Sequence, residues 1–150
     1  MTALALANVK PSKTFADTRY RAAADKTFYP GAWVCLNSSG YLIPATTGAG
    51  LRSLGRCAER ATVATTGLAA GAVTILVETG IGKTGGRRVF PILSAAAPNN
   101  IAQTDVGTNV YMLDDQTGTT DSSGNSIMGE VTEIDADGVI WCAPPLSPPA

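Results

Sequence analysis

The chain contains no histidine. That excludes Ser-His-Asp and Cys-His catalytic sites, histidine-based zinc sites and the common type of pH switch. Chemistry through paired carboxylates or lysine remains open. Charge is also scarce, at 15 % of 150 residues, well below the usual quarter. Aromatic residues make up only 6 %. No run approaches the ~18 apolar residues that span a bilayer. Eleven basic and twelve acidic residues leave a net charge of −1, so the balance shows no footprint for nucleic acid or an anionic membrane. Arg87-Arg88 is the only adjacent basic pair and reads as a solvated loop. The three cysteines, Cys35, Cys57 and Cys142, are an odd number at wide spacing, which fits neither a disulfide framework nor a zinc pattern. Each sits in an apolar run, so they read as small buried hydrophobes.

Thr, Ser and Gly fill the space that charge leaves. An uncharged polar surface with many turns suits an all-β protein, because helices usually present a Lys/Glu face. The length allows one domain with a real core. Residues 1–27 form an N-terminal arm, 28–143 a β-domain and 144–150 an extended C-terminal tail. Within the arm, residues 1–7 are apolar but short and lack a basic flank, so no signal peptide is expected and synthesis is cytoplasmic. Lys10-Pro11-Ser12-Lys13 breaks any regular element. Residues 15–26 carry a short helical reading, since Asp17 and Arg21 lie four apart and Ala22 to Ala24 favour helix. Leu4, Leu6, Phe15 and Tyr20 give the arm apolar anchors that a solvated tail would not need. In the tail, Pro145 and Leu146 belong to a polyproline-like strap.

The β-domain reads as a series of strands. These are 32–36 and 41–43, joined by Asn37-Ser38-Ser39-Gly40; 54–59, continuing weakly over 60–66; 72–79, with Val73, Ile75 and Val77 on one face; and 89–93, where Pro91 implies an edge strand. Three more lie at 109–113, 127–134 and 139–142. Asp135-Ala136-Asp137-Gly138 between the last two is a hairpin signal. The polar run 114–126 reads as an exposed loop. Trp33 and Trp141 read as core residues at comparable ends of two units.

Those units emerge from an internal match. GAWVCL at 31–36 and GTNVYM at 107–112 share G-x-x-V-x-[LM]. LGRCAE at 54–59 and MGEVTE at 128–133 share [LM]-G-x-x-x-E. Each half then has a glycine-led strand, after Gly71 and after Gly138. The fold expectation is therefore a small β-barrel or β-sandwich built from two similar β-units.

Few residues suggest chemistry. Gly80-Ile81-Gly82-Lys83-Thr84-Gly85 satisfies the dinucleotide pattern, but the residues after it are β-branched and include Pro91, so no helix opens to receive a pyrophosphate. Asp114, Asp115 and Asp121 lack the alternating ligands and closing Glu of a calcium loop; Asx turns account for them. Glu59 and Glu133 become a carboxylate pair only if the repeat brings them together; outward-facing strand positions are the expectation. No catalytic, cofactor or metal residues are assigned.

The order G-x-x-V, Gly-Tyr-Leu-Ile-Pro-Ala, Leu-Gly-Arg, Ala-Ala-Gly-Ala-Val-Thr-Ile and then Gly-Thr-Asn-Val-Tyr with Met-Gly-Glu-Val-Thr-Glu resembles the capsid decoration (cement) proteins of tailed bacteriophages, over residues 31–143. The resemblance implies a β-rich, non-enzymatic structural protein of the virion. It would sit on the outer capsid surface, bind the major capsid protein and form a homo-oligomer, a trimer before a dimer. Leu4, Leu6, Phe15, Tyr20, Pro145 and Leu146 become the expected capsid or subunit contacts. The alternatives are another virion β-module, such as a head-fibre base or tail component, and a nucleotide binder using 80–85.

Overall fold

The computed structural model describes residues 17–82 and 86–145. It is all-β, with twelve strands among the described residues. These are β1 (Asp17–Arg21), β2 (Thr27–Phe28), β3 (Trp33–Leu36), β4 (Leu42–Pro44), β5 (Arg52–Cys57), β6 (Val63–Ala64), β7 (Thr74–Thr79), β8 (Phe90–Ser94), β9 (Asn109–Met112), β10 (Thr117–Thr119), β11 (Ile127–Ile134) and β12 (Ile140–Ala143). One 3-10 turn, Gln103–Asp105, precedes β9. Among the described residues no helix is long and apolar enough to cross a membrane.

Two similar units build the molecule. In the first, five strands run in the order β1-β7-β5-β3-β4. In the second, β8-β12-β11-β9-β10 repeats that order and closes into a barrel, because β10 pairs in parallel with β8. The first unit meets the same closure with a single parallel bridge, Ala22 to Leu42, where the Ala23 N–H donates to the Leu42 carbonyl at 2.9 Å. A two-stranded ribbon of β2 and β6 accompanies the first unit and buries Phe28 in its core.

The correspondence extends to single hydrogen bonds. Gly31 donates to the Cys57 carbonyl and Cys57 to that of Ala32, as Gly107 does to Val131 and Val131 to Thr108. Val34 opposes Gly55 and Val110 opposes Gly129, and the register shifts beside both pairs. Each shift is a β-bulge that inserts one extra residue, Leu54 or Met128, and bends the strand to close the unit. The short motifs shared by the two halves are thus the residues of one repeated bulge. Inside, Val34, Leu54, Cys57, Ile75 and Val77 fill the first unit. Val110, Met128, Val131, Ile140 and Cys142 fill the second.

Three expectations are corrected. The helical reading of 15–26 gives way to β1, which pairs with β7 from Asp17↔Glu78 to Arg21↔Thr74. The helical pattern is local, and a strand there completes the first sheet; residues 17–27 are therefore part of the β-fold. Strand β8 is not an edge, since β12 flanks it on one side and β10 on the other. Pairing with β10 starts at Leu93, beyond Pro91, so the missing N–H falls outside that ladder. The run 114–126 is not wholly a loop either. It contains β10, whose Gly118 is the residue a Cβ would drive against Ile92 Cδ1 at 3.0 Å and Ile101 Cδ1 at 3.2 Å. Three small polar residues give no alternation for a sequence reading to find.

The units join through aromatic packing. Trp33, on the outer side of β3, meets Phe90 of β8 edge-on with ring centroids 5.9 Å apart. Its indole N–H donates to the Pro91 carbonyl at 3.4 Å. The Arg56 guanidinium lies 4.6 Å from the centre of the Phe90 ring. Arg88 bonds Asp17 at 2.7 Å and so ties the start of the second unit to the first. Arg88 is therefore part of the seam rather than a solvated loop residue, while Arg87 is exposed, 3.7 Å from Glu130 of its own unit.

Candidate functional site

The hairpin of β11 and β12 sets up the most distinctive surface. Asp135 organises the turn by accepting the N–H groups of Asp137 at 2.9 Å and Val139 at 3.0 Å, while Gly138 takes the positive φ of 83° that the turn requires. The same carboxylate accepts the indole N–H of Trp141 at 3.0 Å. That bond, with the backbone donors behind it, holds the Asp135 carboxyl below its ordinary range. Trp141 is thereby kept on the outer face of β12, only partly covered, with Pro91 as its cross-strand neighbour. It takes no place in either core cluster. The expected equivalence of the two tryptophans is corrected: Trp33 is 1 % exposed at the seam, and its register counterpart in the second unit is Asn109.

Around Trp141 the outer face of β8 and β12 is apolar. Leu93 is 56 % exposed, Pro91 is exposed and Val139 is partly so. They border an open groove of about 540 Å³ lined by Pro91, Leu93, Gln116, Asp137, Val139 and Ile140, among others. Gln116 also lines a second recess of about 390 Å³, shared with Asp115 and with Tyr29, Pro30, Gly31 and Ala32 of the first unit. Tyr29 is 55 % exposed. The Asp115 carbonyl accepts the Trp33 N–H at 2.7 Å, which holds this turn against the first unit. Burial, and then the neighbouring Asp114, push the Asp115 carboxyl up. The charged groups lining the two recesses, Asp137 and Asp115, are both acidic.

The residues expected to act are dispersed. Tyr20 lies on β1, opposite Ile75, and packs against the core of its own unit, where burial raises its phenol. Pro145 lines a recess of about 240 Å³ with Arg87, Asn109, Glu130 and Ala143. Leu4, Leu6, Phe15 and Leu146 lie outside the described residues, as do Lys83, Thr84 and Gly85 of the glycine-rich stretch. Its described flanks form an antiparallel bridge, Ile81 to Arg87, and the next element is β8 rather than a helix. Glu59 accepts from Arg19 at 3.1 Å and from the Leu76 N–H at 2.9 Å, whereas Glu133 is exposed opposite Trp141. Each carboxylate thus serves its own unit. All three cysteines are buried and unpaired; burial pushes Cys35 and Cys142 up to about 12 and raises Cys57. Among the described residues no three Cys, Asp or Glu side chains converge on a point that could hold a metal.

Strand pattern and motif give no sign of the Leu93 and Trp141 surface, although one signal points toward its half of the chain. All eleven Lys and Arg residues lie at or before Arg88, with four of the twelve acids; the other eight acids come after it. Side-chain formal charge is therefore +7 through Arg88 and −8 beyond. The net value of −1 conceals this division.

The chain matches no protein-family model, no curated protein and no solved structure.

Proposed function

We propose that this chain is a structural virion protein that works by surface contact. It binds the outer surface of an assembled phage capsid and stabilises it by bridging major capsid protein subunits, as a homo-oligomer and without catalysis. The observation that carries this reading is the apolar strip of exposed Pro91 and Leu93 with partly exposed Val139 and Trp141, on the outer face of an otherwise well-packed barrel. Contiguous exposed apolar surface rimmed by polar groups marks a protein contact. The groove is shallow and open, and its polar rim is exposed, unlike the enclosed pockets with buried convergent polar groups that hold small substrates. Two supports are independent of that strip. The order and spacing of the sequence motifs over residues 31–143 resemble those of phage decoration proteins, and a β-body present in many copies gains affinity on a lattice by multivalency.

Mixing the purified chain with expanded and unexpanded capsids of its virus tests the proposal. The expected result is saturable decoration of the outer surface, visible by electron microscopy, and heads that survive higher temperature. Failure to bind either form sinks the reading. Label confined to tails would move the chain to another virion component.

A further inference from the structure

The division of charge makes the two units complementary to each other's copies. In the second unit, the apolar strip is bounded by Asp137 in the groove, Asp115 in the adjoining recess and exposed Glu133, the cross-strand neighbour of Trp141. No lysine or arginine occurs after Arg88 to neutralise them locally. In the first unit, Lys26 and Arg60 are exposed beside the β2–β6 ribbon, and neither is in an ion pair among the described residues. Leu68, 44 % exposed, stands at the Lys26 end of the ribbon: its N–H donates to the Thr65 carbonyl, which also receives the Asp25 N–H, and the Thr65 N–H donates to the Lys26 carbonyl. The acid at that place, Asp25, accepts the Gly67 N–H at 3.1 Å. The second unit thus offers an apolar groove with an acidic rim. The β2–β6 ribbon of the first unit offers exposed Leu68 with exposed Lys26 and Arg60 flanking the ribbon.

We propose that the groove of Pro91, Leu93 and Val139, with Trp141 beside Pro91 on the same strand face, is a self-association surface, and that its occupant is the basic β2–β6 side of a second copy. Opposite potentials steer the two surfaces together and exclude the like-charged alternatives, groove on groove or ribbon on ribbon. The contact joins unlike surfaces. It closes either as a dimer containing the contact twice or as a ring containing it once per subunit. Because the attraction is between exposed charges about a Debye length apart or less, it weakens with salt. The inference rests on the homo-oligomer of the proposed function and assigns the strip to the contact between copies. It is read from the mass of this chain alone, whereas capsid binding is read from decoration of heads, so the two can fail separately.

The test is the mass of the purified full chain in solution across a dilution series, at about 50 mM and about 500 mM salt, where screening differs several-fold. Association at low salt that is at least about tenfold weaker at high salt is expected. Two charge-reversed variants, Glu133→Lys with Asp137→Lys, and Lys26→Glu with Arg60→Glu, should each be monomeric yet keep the wild-type circular dichroism spectrum and melting cooperativity. An equimolar mixture of the two should re-associate, now as a hetero-oligomer, because the reversed rims are again opposite. Leu93→Asp should dissociate the wild type without rescue. A wild-type monomer at low salt overturns the proposal, as does an oligomer indifferent to salt and to these variants. If both variants are monomeric and their mixture remains so, the ribbon is not the occupant and the proposal fails.

Discussion

Gly55 and Gly129 stand at one place in two copies of the same bulge. A Cβ on Gly55 would collide with the Glu78 carbonyl oxygen, and a Cβ on Gly129 with that of Ala143. Each glycine lets the neighbouring strand pass closely enough for the unit to curve shut. The bulged side chains beside them, Leu54 and Met128, are then turned into the two interiors.

Replacing either glycine by alanine should therefore cost far more than a helix-propensity change. Gly55 adds a positive φ of 151° to the clash. A loss of about 2–4 kcal/mol is expected for Gly55→Ala, from backbone strain and steric overlap together, and a similar loss for Gly129→Ala. Urea unfolding monitored by tryptophan fluorescence measures it; a loss under about 0.5 kcal/mol, the range of neutral surface changes, would contradict the bulge argument.

Phe90 couples the two units. Phe90→Ala removes the edge contact with Trp33 and the ring beneath Arg56. It should cost about 3–5 kcal/mol, the usual range for a buried aromatic cut to alanine. The wild type should melt in one transition. The variant should melt earlier, with the two units separating into distinguishable steps by calorimetry.

Asp135 has a folded-state pKa below its unfolded value, chiefly through the Trp141 indole N–H and then the Val139 N–H. Its contribution to stability is therefore present above the unfolded carboxylate range, near 3.8, and is lost as pH falls through the lower folded value. Asp135→Asn should reduce stability at pH 7 and flatten the acid limb of a stability–pH profile. Freed of its acceptor, Trp141 should also shift its fluorescence. An unchanged acid limb would count against the assignment.

Burial of the three thiols, with Cys35 and Cys142 pushed up to about 12, leaves almost no thiolate at pH 8. The folded protein should react with an aromatic disulfide reagent on the timescale of unfolding, and all three cysteines should react at once in denaturant. A fast-reacting thiol in the native state would show that one of them is accessible.

Much of the framework is legible in the sequence because it depends on local pattern. The residues 127–134 predict a strand, and β11 has the same bounds. The Asp-Gly turn and the alternation of Ile75 and Val77 are equally direct, since turn geometry and period-two burial leave marks in a few adjacent residues. The repeat is visible only where the bulge demands particular residues. Strands β1 and β10 escape because nothing local distinguishes Asp17–Arg21 from a short helix or Thr117–Thr119 from a loop; both are made strands by the partner that hydrogen-bonds them.

The same division governs the candidate surface. Sequence alone determined that the chain is β-rich, that it repeats one unit, and that no histidine chemistry is available. It also held the partition of charge about Arg88, which a net count erases. The tertiary structure decided which tryptophan is buried. Trp33 is sealed because β8 of the other unit packs on it, and Trp141 is left outside because Asp135 holds its indole across the hairpin. Side-chain chemistry is a property of the residue, but exposure depends on what the rest of the chain brings alongside. The outer strip of Leu93 and Trp141 is visible only once β12 is paired with β8, which sets those side chains on one face.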